Sequence, residues 1–349
     1  MARTEAGHSP VEALHDEVYG HLQGMDEFIA QRCVTQAPVR PEDKDGRFWL
    51  RNTRMGMGQT FQSLRLAPGS PHPRIFAGNP TTVAYECVEY GAADEIAWSL
   101  SKRSQYPGDL VDEAAENVAR ALAMELENTL ALLLFTAGNW AAGATEPCTT
   151  LDNNEDGNAS GVQFGAANAT EIKDLLICKK LARNNCNGVD PNAMIIGYEA
   201  FHALQTAVDF RSFLSADSDR TALGEEATIA ALSRALGIPA ENIFVGKARQ
   251  ETANPGQTSS TSDVWADNVL LYHLDSRITT MSGGAGLRGT TAAIAWEQLD
   301  GGVSGIYAEQ DEDRELRTDI VRGRFSFDSV LLNNSWGFLL TDCVAPLVP

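Results

Sequence analysis

Gly284-Ala285-Gly286-Leu287-Arg288-Gly289 has the spacing G-x-G-x-x-G. A dinucleotide-binding unit uses that spacing to bring backbone against a pyrophosphate at a helix N-terminus. The chemistry needs a strand before the turn and a helix after it. The following TTAAIAWEQLDGG leaves little room for a helix ahead of its two glycines, so a flexible Gly-rich connection is expected. Asp152, Asn154 and Asp156, with Gly157 sixth, fit the first half of a calcium loop. Gln163 stands where the loop wants a bidentate Glu, and an Asx-rich surface turn is the plainer reading. A cation held there would be a structural clip. The histidines show no H-x-x-x-H or HExxH spacing; His15 and His21 have acidic neighbours, and His202 and His273 read as packing positions. No G-x-S-x-G elbow and no P-loop is present, and no catalytic residue or cofactor is expected.

Cys33, Cys87, Cys148, Cys178, Cys186 and Cys343 form no CxxC pair, and are expected as scattered buried thiols of a reducing compartment. Asp and Glu number 47 against 27 Lys and Arg, a net charge of −20. Such a surface works against non-specific nucleic-acid binding, since phosphate neutralisation needs cations. It suits either solubility in high salt or a container that does not grip its contents. The N-terminal MARTEAGHSPVEALHDE has no apolar signal core, and no secretion signal is expected. The most apolar run, LALLLF, adjoins Glu125 and Glu127 and is too short to span a membrane.

The strongest element is a helix expected over Pro107–Trp140. Leu110, Ala114, Val118, Leu122, Leu126, Leu130 and Leu133 recur at spacings of three and four and line one face. Pro107 suits the first turn and Gly138 the stop; at 1.5 Å per residue the helix would run roughly 45 Å. Before it come a short amphipathic helix over 9–31, a Pro-rich linker or arm to Asp45, and strands over 60–66, 82–90 and 95–101 joined by a long loop. After it the pattern turns α/β. Helices are expected over 170–185, 198–208 and 225–236, the last closed by Gly237, and strands over 193–197, 242–246 and 268–274. The chain ends in β-rich segments over 292–299, 305–310, 314–332 and 336–344.

In this order the elements resemble the major capsid proteins of tailed bacteriophages, the HK97-like fold, over nearly the whole chain. The resemblance rests on an arm, an extended loop and the spine helix with Glu127-x-x-x-Ala131-x-Leu133. It continues through ATEIKDLLICKKLARNNCNGVDPNAMIIGYEAFHAL, NIFVGKARQ, the passage around Trp265-x-Asp267, AIAWEQ and the terminal strands. It implies an α+β fold with an N-terminal arm over 1–45 and an extended β loop with its return strand over 46–105. A peripheral domain would take 106–165 plus 295–332, and an axial domain 166–294 plus 333–349. The front segments are expected to have no core of their own, leaving Phe48, Trp49, Phe61, Ile75 and Phe76 bare on a lone subunit. Arg51, Arg54, Arg65 and Arg74 are expected to meet acidic patches of a neighbour.

The implied function is a capsid subunit that assembles with itself into hexamers and pentamers of an icosahedral head. The head would enclose double-stranded DNA without sequence-specific binding. A separate scaffolding protein, a portal and a cement protein are the implied partners, with no membrane, and the virion the location. Some members crosslink through a Lys–Asn bond. Lys102, Asn333 and Asn334 cannot be aligned with those residues, and with few lysines no crosslink is expected. The alternatives are a nanocompartment shell of the same fold, as in encapsulins, and a salt-adapted α/β enzyme using the Gly284 loop.

Overall fold

A computed structural model of the chain describes residues 27–50, 81–101, 107–152, 161–166, 169–186, 189–207, 224–253, 256–275, 278–281, 284–287, 290–298 and 306–345. It also describes Val18, Met25 and Phe210 as isolated positions. Most of the expected helix over 9–31 and the expected strand over 60–66 lie outside the described residues; Val18 is helical and buried.

The chain opens with a short helix α1 (Ala30–Cys33) and strand β1 (Thr35–Val39). Strands β2 (Asp45–Leu50), β3 (Thr81–Glu86) and β4 (Val88–Ala97) follow, then a one-turn helix α2 (Trp98–Ser101) where strand was expected to continue. The spine helix α3 runs Pro107–Phe135. Next come β5 (Thr145–Pro147), α4 (Glu171–Asn185), β6 (Ala193–Gly197), α5 (Tyr198–Thr206), α6 (Glu225–Leu236) and β7 (Ile243–Gly246). A small hairpin, β8 (Arg249–Glu251) and β9 (Thr261–Asp263), leads to β10 (Val269–Tyr272), β11 (Ile278–Met281) and β12 (Gly284–Leu287). The last strands are β13 (Ala292–Glu297), β14 (Ile306–Asp313), β15 (Thr318–Leu331) and β16 (Gly337–Thr341).

The spine helix begins at Pro107 as expected but stops five residues short of Trp140. Side chains beyond the end take its last carbonyls. Asn139 Nδ2 donates to Leu133 at 2.8 Å and Trp140 Nε1 donates to Leu134 at 2.8 Å, so no further helical turn is needed. Gly138 falls in the 3-10 turn that brings these donors back.

β15 is the axis of the first sheet. β4 covers one edge of it; β13 and β14 share the other, β13 along Phe327–Leu331 and β14 along Thr318–Phe325. β1 adds to β13 in parallel, so the boundary expected between residues 294 and 295 falls inside a strand of this sheet. The helix α3 lies on β15 and β4. Gly323 permits that approach, because a Cβ there would stand 2.5 Å from Cγ1 of Val118.

The second sheet runs β5-β16-β10-β6-β7. Its central strands are buried on both faces, and this is why AMIIG and VLLY read as unbroken apolar runs. Alternate residues serve different cores. Met194, Ile196, Leu271, Phe338 and Leu340 face the layer of α4, α5 and α6. Ile195, Leu270, Tyr272 and Leu339 join Leu126, Leu130 and Leu134 of the spine. Gly237 ends α6 at φ +63°, as the sequence predicts.

A third core overturns one expectation. β2 and β3 pair with the β11–β12 hairpin, and Phe48, Tyr85, Cys87, Ala37, Val39, Ala293 and Val330 pack together. Phe48 is not bare: it is 0% exposed, with its ring 4.5 Å from that of Tyr85. Residues 29–50 and 81–97 therefore do find burial on their own chain, through pairings with β13 and β12 that lie far downstream.

Candidate functional site

Glu127 sits on the inward face of α3, in register with Ala123, Ala131 and Leu134, and is 0% exposed. A carboxylate survives there only if its oxygens are filled. Oε2 accepts the backbone N–H of Ala30 at 2.8 Å, and the N–H of Ile29 lies 3.1 and 3.2 Å from the two oxygens. Oε1 accepts the indole N–H of Trp265 at 2.5 Å. Burial raises the pKa of Glu127; the donors on Trp265, Ile29 and Ala30 and the charge of Arg32 pull it part of the way back. Ile29 and Ala30 open α1, so a side chain remote in sequence caps that helix. At its other end the Tyr272 hydroxyl donates to the Cys33 carbonyl.

Trp265 is itself held by shape. Its side chain lies over Gly246, where a Cβ would come within 2.3 Å of Cγ, and its ring meets Phe135 edge-on at 5.0 Å. The residues after it pin the C-terminal strand: Asp267 accepts the N–H of Val344 at 3.2 Å and Asn268 Oδ1 that of Asp342 at 3.2 Å. Arm, spine, helix-layer sheet and chain end thus converge on one junction. The Cys33 thiol of α1 is pushed well above its ordinary pKa by burial, aided by the charge of Glu127. Burial likewise pushes Cys87, Cys148 and Cys186 up to about 12, which favours the protonated thiol at neutral pH. The junction fastens elements together.

Of the residues singled out from the sequence, Arg51, Arg54, Phe61, Arg65, Arg74, Ile75 and Phe76 lie outside the described residues, as do Asn154, Asp156 and Lys102. Trp49 is a β2 position opposite Thr82 and Gly286. Among the described residues no group of three or more His, Cys, Asp or Glu could hold a metal, and no helix is long and apolar enough to cross a membrane. Gly284–Leu287 is the strand β12, paired with β11 and β2, instead of a flexible connection or a strand-to-helix turn. The dinucleotide reading, and with it the enzyme alternative, loses its support. His202 is exposed on α5, against expectation; His273 packs edge-on to Trp336 and lies 3.3 Å from the Asp190 carbonyl. The sequence alone assigns no role to Glu127 or Trp265. The signal was there: Ala123, Glu127, Leu130 and Leu134 share the helix stripe that faces the core.

No protein-family model matches the chain, and no curated protein matches it. Solved structures do. A phage-related protein from Bordetella bronchiseptica RB50 superposes with a TM-score of 0.65 at 17% identity, over 95% of this chain and 97% of that one. A protein assigned as the capsid protein of a prophage in Escherichia coli CFT073 gives 0.52 at 11% identity, over 95% and 99%. The chain has the HK97-like capsid fold. A virus-like particle from Pyrococcus furiosus shares the capsid fold at a TM-score of 0.51 and 10% identity, over 94% of this chain and 98% of that one. At these identities the likeness is one of architecture, and it covers nearly the whole of both chains.

Proposed function

We propose that the chain is a major capsid protein, which assembles with itself into the icosahedral head of a tailed bacteriophage around double-stranded DNA. The observation that carries this reading is end-to-end coverage by the capsid fold, including a prophage capsid protein and a virus-like particle. The mechanism is geometric. The helix-layer sheet with α4, α5 and α6 serves as the axial domain around symmetry axes. The β15 sheet with the spine serves as the peripheral body, and Arg51, Arg54, Arg65 and Arg74, from the loop expected over 46–105, are the residues proposed to meet acidic patches of a neighbour. Near-equivalent contacts between many copies then close the shell. The Glu127 junction suits this role, since a subunit that transmits strain across a shell needs arm, spine and axial sheet tied at one point. Net charge of −20 fits a container that encloses DNA without gripping it. A separate scaffolding protein, a portal and a cement protein complete the reading, with the virion as location.

The test is electron microscopy of the purified protein together with nuclease protection of particles from infected or induced cells. Closed shells holding nuclease-resistant DNA are expected. Closed shells that hold protein cargo and no DNA would shift the reading to a nanocompartment, and a protein that never closes a shell would remove it.

A further inference from the structure

Residues 81–97 form one extended run that serves two sheets. β3 pairs with β2 in the third sheet, β4 pairs with β15 in the first, and Cys87 between them belongs to neither strand. Its N–H goes to the Lys44 carbonyl at 3.1 Å, and its thiol lies 3.7 Å from the Ala295 carbonyl of β13. A run that changes sheets at a single residue can pivot there. Beneath the pivot the two sheets share the apolar core of Phe48, Tyr85, Ala293 and Val330.

The rim of that seam is acidic. Asp328 of β15 accepts the N–H of Glu86, the last residue of β3, at 2.9 Å. Asp328 stands opposite Ala295, so Glu297, two residues further along β13, shares its face. Glu297 is only 6% exposed and meets Lys44 at 3.7 Å. The charges of Asp328, Glu297 and Asp45 all reach the Cys87 thiol, and that of Lys44 opposes them. Tyr90 of β4 also feels Asp328, whereas Glu89 is engaged by Arg324 at 3.3 Å. Asp45, Glu86, Glu297 and Asp328 thus gather around one ammonium where the two sheets meet.

We infer that Cys87 is a hinge between the two sheets, and that the charge balance around Lys44 sets how tightly it closes. Neutralising a carboxylate of the rim tightens the seam; removing Lys44 loosens it. β2 ends at Leu50 and β3 begins at Thr81, so both ends of the segment 51–80 travel with the hinged sheet. On the shell reading above, the hinge would aim the arginines proposed to meet a neighbour. Burial raises the pKa of Asp328 against the pull of the Glu86 and Ser329 N–H groups, and the Glu86 charge adds to the rise. Its contribution to the seam is therefore fully present below the ordinary 3.8 and falls as pH rises through the raised value.

The experiment is hydrogen exchange of the full chain, read by mass spectrometry and corrected for the intrinsic pH dependence of exchange, with spine-helix peptides as the internal standard. In wild type, protection across 82–88 is expected to fall relative to the spine as pH rises through the Asp328 titration. Asp328→Asn keeps an acceptor for Glu86 but does not titrate, and is expected to hold the acid-side protection at neutral pH. Lys44→Met is expected to lose at least about tenfold protection there at neutral pH, since it leaves a buried carboxylate without its cation, and to regain part of it in acid. A flat wild-type profile, an Asp328→Asn profile that still follows wild type, or full neutral protection in Lys44→Met each overturns the inference. Should Lys44→Met fail to fold, spine protection is lost with it, and the Asp328→Asn profile then decides. Every readout comes from amides within one chain, so a negative result leaves shell assembly to its own test.

Discussion

The two halves of the spine helix are held by different chemistry. Its first half meets the β15 sheet through small apolar residues, Ala114, Ala115, Val118, Ala119 and Leu122, against a strand that carries glycine at the closest approach. Its second half keeps the apolar stripe but places a carboxylate within it, on which the arm and Trp265 converge. Dry packing fixes how close the helix lies to the sheet. The buried carboxylate fixes which remote segments meet it, because N–H donors must reach it from specific places.

If that contrast is right, truncating the carboxylate costs most. Glu127→Ala leaves the N–H groups of Ile29, Ala30 and Trp265 without their acceptor. At about 1–3 kcal/mol for each buried group left unpaired, a loss of at least about 3 kcal/mol is expected in urea unfolding. Limited proteolysis should cut near residue 29 earlier than in wild type, and unchanged protection there would break the assignment. In the dry half, Gly323→Ala forces a Cβ against Val118, and overpacking of this kind costs about 1–3 kcal/mol. Pairing it with Val118→Ala should restore most of the loss, which the Glu127 variants would not do. Trp265→Phe keeps an aromatic ring by Phe135 but removes one donor to a charged acceptor, for about 1.5–3 kcal/mol; a double-mutant cycle with Glu127→Gln should show the two are coupled.

The smallest effect is in pH. The folded pKa of Glu127 is raised above its ordinary 4.5, so the folded state holds this proton to higher pH than the unfolded chain does. Its contribution is therefore fully present below the ordinary value and falls as pH rises through the raised one. Relative to Glu127→Gln, which does not titrate, wild type should lose stability across that window. A difference that grows in the opposite direction would show that hydrogen bonding outweighs burial at this carboxylate.

What could be read from the sequence follows the same division. The apolar half of the spine, the run AMIIG and the Gly237 stop are local signals, set by spacing or by one residue's backbone freedom, and they sit where the sequence puts them. The junction was not readable as a site, because a helical Glu beside an apolar run looks like a solvated flank until its donors, 97 to 138 residues away, are known. Nor was β1. Pro38 made residues 35–39 look like a linker, yet a proline is tolerated on a strand bonded along one edge, and β13 is its partner. Phe48 is hidden from local reading for the same reason, since its cover comes from β3 and from residues near 293 and 330.

The most direct test of the account is sedimentation velocity of the purified, untagged chain at physiological salt. The account predicts a fast boundary of uniform, shell-sized particles that survives dilution. A single boundary at the mass of one chain, unchanged across concentration and salt, would contradict it.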